Sequence, residues 1–160
     1  MILFLVAFPG FVPAGALPQP SSMIHHRATE GTEDTEVGDN VLTREIIGSA
    51  IEVHRILGPG LLESVYEAAL CYELITRGLR VHRQVLVPVH YKGLNLKTGI
   101  RLDLCVEDRV IVEVKSVEHL HEVHRAQLLT YLKLTNLRIG LLFNFNVKFV
   151  KEGMRRVLNG

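Results

Sequence analysis

The sequence predicts an α/β fold in which a mixed β-sheet is flanked by helices, with elements in the order ααβββαβ. The main observation is a change of hydrophobic period: apolar residues recur every three or four residues from Val41 to Gly78 and alternate from Val81 onward. A chain of 160 residues that is 48% hydrophobic and 22% charged fits one domain of this kind. We therefore expect a single domain over residues 41–160, after an apolar and then acidic leader over residues 1–40.

The leader offers two interpretations. Residues 1–22 are apolar, but Pro9 and Pro13 interrupt them well short of the ~20 residues that a membrane-spanning helix needs, so no stable membrane span is expected. Residues 1–16 resemble a signal peptide that lacks a positive n-region, or else translation truly begins at Met23. Residues 23–40 have the composition of a flexible polar leader. We expect a cytoplasmic protein, or a secreted one if the signal peptide is real.

Two helices are predicted first. One starts at Val41, with Asn40 or Asp39 as its cap, and ends at Leu57 because Gly58 and Pro59 stop it. The second follows at once and ends at Gly78. Its apolar stripe consists of Leu62, Tyr66, Ala69, Leu70 and Leu74.

The strands come next. The alternating residues from Val81 to Tyr91 predict a strand at the edge of the sheet, because Pro88 has no backbone N–H to donate to a neighbouring strand. One face of this strand is expected to carry Val81, Arg83, Val85, Val87, Val89 and Tyr91. Residues 100–106 and 109–117 predict a hairpin, residues 121–135 a helix, and Arg138 to Phe143 a last strand before a polar-apolar tail.

The hairpin carries the most informative side chains. If it centres near Asp108, Asp103 pairs with Glu113 and Arg101 pairs with Lys115 across the strands. Two carboxylates so close together repel each other unless a cation lies between them, and hard oxygen ligands suit Mg²⁺ or Mn²⁺. The opposite, apolar face is expected to hold Leu102, Leu104, Val110, Val112 and Val114.

The chemistry expected of this face is phosphodiester hydrolysis. Magnesium held by few carboxylates keeps open positions, so it can polarise a phosphate and promote attack by water, while Lys115 orients or deprotonates that water. From residue 41 onward 17 Lys and Arg face 12 Asp and Glu, a balance compatible with a polyanionic substrate. The alternative is an ordinary salt-bridge cluster on a solvated sheet face.

Other polar residues each have two interpretations. Gln127 and Tyr131 share one helix face and either contact a phosphate or base or belong to a half-buried helix surface. Glu63 is either a further metal ligand or an acid that complements the dipole of the second helix. His54 either approaches the same cleft or is a buried structural histidine.

Three histidines suggest a zinc site, namely His119, His121 and His124. No thiolate or fourth ligand matches them, and their spacing follows no common zinc pattern. We expect them to be exposed at a strand-to-helix junction near phosphate.

Four segments in this order resemble the GxxExxY protein family, which is assigned to the PD-(D/E)XK nuclease superfamily. They are GPGLLESVY, the hairpin with Asp103 and Glu113-Val114-Lys115, AQLLTYLKLT and GLLFNFNV. The resemblance runs from Leu42 to the C-terminus and implies a restriction-endonuclease-like core. One departure from the superfamily pattern is that Leu102, not proline, precedes Asp103.

The resemblance also implies site roles. Asp103, Glu113 and Lys115 are expected to be catalytic, and the metal ligands are expected to be Glu63, Asp103 and Glu113. Nucleic-acid contacts are expected from Gln127 and Tyr131, as the QxxxY pair, and from Tyr66.

The expected function is a Mg²⁺- or Mn²⁺-dependent nuclease acting on DNA. The alternatives are a nucleic-acid-binding or accessory module of the same fold with little or no catalysis, and a structural interaction protein. Because little chain remains for a separate recognition domain, a protein partner or a homo-oligomer is also expected.

Overall fold

The computed structural model describes residues 32–96 and 98–160 of the chain. Its elements are the helices α1 (Thr32–Leu57) and α2 (Glu63–Thr76), the strands β1 (Val81–Val87), β2 (His90–Tyr91), β3 (Leu94–Asn95), β4 (Ile100–Val106) and β5 (Val110–Lys115), the helix α3 (Glu122–Thr135), and the strands β6 (Ile139–Asn144) and β7 (Met154–Leu158). The predicted class, a mixed sheet flanked by helices, is confirmed.

Five strands form one sheet in the order β1-β4-β5-β6-β7. Only β5 and β6 run parallel, and α3 makes the crossover that a parallel pair requires. Their register ends with Lys115 beside Asn144. The residues that follow Lys115 and Asn144 therefore leave the sheet at the same edge.

Each face of the sheet is covered by helices. The helices α1 and α2 pack on one face, where the buried core includes Ile46, Tyr66, Leu70, Leu104, Val112 and Phe143. The helix α3 packs on the other, where the core includes Leu102, Ile111, Leu128, Leu132 and Leu142. We call these the α1/α2 core and the α3 core.

The start of α1 differs from the prediction. The helix begins at Thr32 rather than at Val41, so the last turns of the expected flexible leader are helical. Glu36 forms an ion pair with Arg138 at 3.1 Å, and Asp39 forms one with Arg109. These ion pairs, rather than an apolar stripe, hold the first turns of α1 against the rest of the fold. Hydrophobic periodicity could not detect contacts of that kind.

The prediction that one face of β1 runs through all its alternate residues is wrong. Val81 packs on the α1/α2 core, whereas Val85 and Val87 pack on the α3 core. The cause is Gln84, whose φ of 54° lies in the left-handed region and breaks the alternation. The strand also ends before Pro88, because Tyr91 belongs to the small β2–β3 hairpin. The edge position of β1 is confirmed.

The apolar face predicted for the β4–β5 hairpin needs the same correction. Leu104, Val112 and Val114 lie in the α1/α2 core, but Leu102 lies in the α3 core. The switch occurs at Asp103, which the register of β1 and β4 places directly across from Gln84. The faces therefore change at the position of the predicted metal ligand.

Two strands were missed and several predictions are untested. The short strand β3 lies where no strand was expected. The expected C-terminal tail contains β7, which pairs with β6. The expectations for residues 1–22, including the signal peptide and the start at Met23, lie outside the described residues. Within residues 32–96 and 98–160, no helix combines the length and apolar character needed to cross a membrane.

Candidate active site

The β4–β5 hairpin places the two predicted metal ligands of the sheet across from each other. Its turn is tight because Glu107 and Asp108 both have positive φ, and its register pairs Leu104 with Val112. Asp103 and Glu113 are the next residues on the two strands beyond that pair, and the charge of Asp103 acts on Glu113. The Oδ2 of Asp103 accepts a hydrogen bond from the backbone N–H of Val114 at 2.9 Å. This bond holds the Asp103 carboxylate of β4 against the backbone of β5.

Glu113 is the most unusual side chain of the hairpin. It is 3% exposed, and its Oε1 accepts a hydrogen bond from the Nζ of Lys115 at 2.8 Å. Its Oε2 is buried without a hydrogen-bond partner, the one side-chain nitrogen or oxygen in this situation within the described part of the chain. An unsatisfied buried oxygen is costly, so it marks a position where a ligand would be stabilised.

Burial and neighbouring charges shift the proton affinities of this group. Burial, together with Asp103, raises the pKa of Glu113 to about 7 against the opposing effect of Lys115. Burial also raises the pKa of Asp103, with further contributions from Glu67 and Glu63, although the Val114 N–H opposes it. Burial lowers the pKa of Lys115, but the hydrogen bond to Glu113 and the surrounding carboxylates outweigh it, so its pKa is raised. The site thus favours cations.

Glu63 approaches from the start of α2. Its Oε1 accepts the backbone N–H of Ser116 at 3.0 Å, and the Ser116 hydroxyl donates to the carbonyl of Leu61 at 2.6 Å. These bonds dock the first turn of α2 on the residue that follows Lys115. Glu63 therefore lies beside the hairpin acids, with one oxygen used by the backbone.

The carboxylates fit a metal ion that needs few protein ligands. Among the described residues, no three His, Cys, Asp or Glu side chains lie close enough together to hold one, so Glu63, Asp103 and Glu113 do not form a closed three-ligand site. The pair Asp103 and Glu113 still suits magnesium, which takes one or two carboxylates and keeps several waters. The unpartnered Oε2 of Glu113 supports that fit. The assignment of Glu63 as a third ligand stays a prediction.

Tyr66 is buried beneath the turn that precedes α2. Its ring is 0% exposed and stacks on Phe145 with centroids 4.5 Å apart. Its hydroxyl donates to the carbonyl of Gly58 at 2.6 Å and accepts the N–H of Leu61 at 3.1 Å. The side chain is enclosed and its hydroxyl holds the turn before α2, which favours a structural role, and contact of Tyr66 with nucleic acid stays a prediction.

Gln127 and Tyr131 share one face of α3, as the spacing predicted. The Nε2 of Gln127 donates to the hydroxyl of Tyr131 at 2.6 Å. Both side chains are half-buried, and Tyr131 packs against the α3 core. The pair is preorganised, and its contact with nucleic acid stays a prediction.

The histidines divide into two groups. His121 and His124 cap α3, since the His121 N–H donates to the Nδ1 of His124 at 3.1 Å, and His119 is exposed as expected. His54 is buried, and its Nε2 lies 2.8 Å from the carbonyl of Val147, which agrees with a structural role.

Sequence reasoning missed Glu67 and the two side chains that hold it. This buried carboxylate accepts one hydrogen bond from the Nε of Arg83 and one from the Nε2 of Gln84, each at 2.7 Å. Its charge contributes to the raised pKa of Asp103. Glu67 lies four residues after Glu63 on α2, a spacing that places both on one helix face and could have identified it. The left-handed Gln84 gave no signal in the sequence.

Asn144 was missed as well. It is buried at the end of β6, where its Nδ2 donates to the carbonyl of Val117 at 2.8 Å and its Oδ1 accepts the Val117 N–H at 3.0 Å. The Lys115 carbonyl accepts the N–H of Phe145 at 2.8 Å. These bonds fix the backbone on which Lys115 stands.

Comparison with known proteins gives one match. A family model described as the PD-(D/E)XK nuclease superfamily matches residues 40–157, which include every residue of the candidate active site. None of the curated proteins and none of the solved structures compared with the chain matches it.

Proposed function

Because the chain belongs to the PD-(D/E)XK nuclease superfamily, we propose that it is a metal-dependent nuclease that hydrolyses phosphodiester bonds of DNA. The observation that carries the proposal is the buried Glu113 carboxylate, with one oxygen on Lys115 and the other unpartnered, across the hairpin from Asp103. A side chain used only for structure would have its buried oxygens satisfied.

Asp103 and Glu113 would hold a Mg²⁺ or Mn²⁺ ion, and Glu63 would become a further ligand if it moved closer to them when the ion binds. When bound, such an ion offsets the carboxylate repulsion, polarises the scissile phosphate and makes water more acidic. Asp103 is already fixed for this role by the Val114 N–H. Glu113 has its Oε2 available because Lys115 binds only Oε1.

Lys115 is the residue that acts on the reacting groups. As the oxygen of water forms its bond to phosphorus and the bond to the leaving sugar oxygen breaks, negative charge grows on the phosphoryl oxygens. The ammonium of Lys115 can donate to those oxygens or orient the water. Its position is set by the Glu113 hydrogen bond and by the backbone that Asn144 holds.

Two finer assignments belong to the proposal. The ordered motifs favour the GxxExxY family within the superfamily, and DNA is favoured over RNA by that resemblance rather than by any contact. The excess of Lys and Arg after residue 41 suits either polyanion.

The test is a cleavage assay with the purified full chain. Single- and double-stranded DNA and RNA, labelled at one end, are incubated with Mg²⁺, with Mn²⁺ or with EDTA. The proposal expects metal-dependent cleavage of DNA that EDTA abolishes. Binding without cleavage under every metal condition would contradict it and favour a non-catalytic module.

A further inference from the structure

We propose that a cleft beside Phe149 binds single-stranded nucleic acid, with one base stacked on the Phe149 ring and neighbouring phosphates paired with Lys148 and Lys151. The inference rests on the proposed nuclease function and specifies the strand form that the site would take. None of these three residues belongs to the candidate active site.

The cleft lies between the end of α1 and the segment that joins β6 to β7. Its volume is about 540 Å³, within the ~300 to 1,000 Å³ of typical ligand sites. Its lining consists of Ile51, His54, Arg55, Lys148, Phe149, Val150 and Lys151. The lining thus combines an aromatic ring with cations and has no acidic residue.

Phe149 is placed as a stacking platform rather than as a core residue. It is 56% exposed, and the Nζ of Lys148 lies 5.3 Å from the centre of its ring. Because Glu52 pairs with Arg55 at 2.6 Å, the net positive charge of the lining comes from the two lysines. Proteins bind single strands with exposed aromatic rings beside lysine or arginine side chains. The ring stacks on the face of a base, and the positive charges pair with the phosphates.

The cleft is linked to the candidate active site through the buried core and along the chain. The Phe145 ring stacks on Tyr66 on one side and lies 6.3 Å from the ring of His54, which lines the cleft, on the other. Asn144 pairs with Lys115 in the sheet, and Lys148 follows Asn144 by four residues. An extended chain spans at most ~3.6 Å per residue, so Lys148 is at most ~14 Å from Asn144 between Cα atoms.

Because Asn144 lies beside Lys115, a short stretch of substrate within that limit would reach from one site to the other. A nucleic-acid strand rises ~3.4 Å per nucleotide in a duplex, so roughly four nucleotides cover that distance. Stacking on Phe149 requires a base whose face is free, and in a duplex both faces of a base are covered by neighbours. The cleft therefore favours an unpaired strand over a duplex.

The experiment measures binding without cleavage. The affinity of the full chain for short fluorescein-labelled single-stranded DNA, single-stranded RNA and duplex DNA is determined by fluorescence anisotropy in EDTA, over a range of salt concentrations. Phe149→Ala is compared with Tyr91→Ala. Tyr91 is a matched control because it is 59% exposed and has Lys92 5.5 Å from its ring centre, but it lies on the β2–β3 hairpin.

Phe149→Ala should weaken single-strand binding by about 5- to 150-fold, the loss that ~1 to 3 kcal/mol of stacking implies, while the salt dependence is kept. The double substitution Lys148→Gln, Lys151→Gln should instead reduce the slope of log K against log salt by about 1.4, at ~0.7 per phosphate contact. Tyr91→Ala and Lys92→Gln should change neither. The DNA and RNA arms decide which polymer the cleft prefers.

Three outcomes would overturn the inference: equal single-strand affinity of Phe149→Ala and Tyr91→Ala, an equal loss for duplex and single strand in Phe149→Ala, or no single-strand binding by the wild type. Cleavage by the wild type in any of these cases would leave the nuclease proposal standing. Conversely, a specific loss in Phe149→Ala with no metal-dependent cleavage would support the cleft and contradict catalysis. Unfolding curves for each variant confirm that folding is intact.

Discussion

Lys115 donates to one oxygen of the Glu113 carboxylate at 2.8 Å, and the other oxygen of that carboxylate is buried without a partner. An ion pair on a solvated sheet face would leave both oxygens to water and would contribute little, ~0 to 1 kcal/mol. Glu113 is instead nearly inaccessible to solvent, and its second oxygen has no partner among the described residues. This geometry argues against the interpretation of the cluster as a solvated salt bridge.

The first prediction concerns the stability of the metal-free protein. The pKa of Glu113 is raised to about 7 from its ordinary value of 4.5, so the folded state binds more protons between these pH values than the unfolded state does. Its contribution to the free energy of unfolding is therefore fully present below about pH 4.5 and is lost as pH rises through about 7. Glu113→Gln should remove this loss, which is on the order of 3 kcal/mol.

Urea unfolding in EDTA at pH 5 and pH 8 measures how much of the free energy of unfolding each protein loses between the two pH values. The wild type should lose more stability between the two pH values than Glu113→Gln does. An equal loss in both proteins would show that Glu113 does not titrate as described.

The second prediction separates the structural and metal-binding roles of Asp103. Asp103→Asn keeps an oxygen for the Val114 N–H, whereas Asp103→Ala leaves that buried donor unsatisfied and should cost about 1 to 3 kcal/mol of stability. Both substitutions should weaken Mn²⁺ binding by at least the ~10-fold that loss of even an outer-shell partner costs. Calorimetric titration and urea unfolding check the two effects, with the exposed Glu118→Gln as control. Wild-type Mn²⁺ affinity in Asp103→Asn would refute the ligand assignment.

The third prediction concerns the pair on α3. The Tyr131 hydroxyl accepts the Gln127 amide, so Tyr131→Phe removes the group that orients Gln127. If the pair contacts substrate, this substitution should weaken nucleic-acid binding about 2- to 10-fold, as expected for one hydrogen bond. Mn²⁺ affinity should stay unchanged, since neither side chain is a preferred ligand of hard cations. A folded Tyr131→Phe protein that had lost Mn²⁺ binding would show that the pair belongs to the metal site.

The fourth prediction assigns Tyr66 to stability. Tyr66→Phe keeps the ring stacked on Phe145 but removes the bonds to Gly58 and Leu61. The free energy of unfolding should fall by about 1 to 3 kcal/mol. Binding of nucleic acid by the protein that remains folded should match the wild type. A binding defect without a loss of stability would restore Tyr66 as a contact residue.

Local patterns predicted the three helices, the longer strands before β7 and the approach of Asp103 to Glu113, because these depend on sequence period and on the position of one turn. They failed where a long-range contact overrides the period. The left-handed Gln84 is held by the buried Glu67, and together with Asp103 across the strand it switches which face Val85 and Leu102 occupy. Left-handed non-glycine residues cost energy and occur at functional sites, so sequence rules fail there.

The sequence pattern also did not predict where α1 begins, because the contacts that hold its first turns are long-range ion pairs. Ion pairs to Arg109 and Arg138 hold the first described side chains of α1, and such pairs leave no hydrophobic periodicity. Tyr66 lies on the apolar stripe that the sequence predicts for α2, and the resemblance alone suggested a substrate contact. Its burial follows that stripe.

The most direct test of the central claim, that the Asp103–Glu113–Lys115 group is a nuclease site, is the cleavage rate of Lys115→Met beside Lys92→Met. The first removes the ammonium that binds Glu113, and the second removes an exposed one from the β2–β3 hairpin. Lys115→Met should cleave DNA about 100- to 1,000-fold more slowly than the wild type with Mg²⁺, while it folds and retains nucleic-acid binding, and Lys92→Met should match the wild type. Equal cleavage by Lys115→Met and the wild type would contradict the claim, because the activity would then belong to a different site.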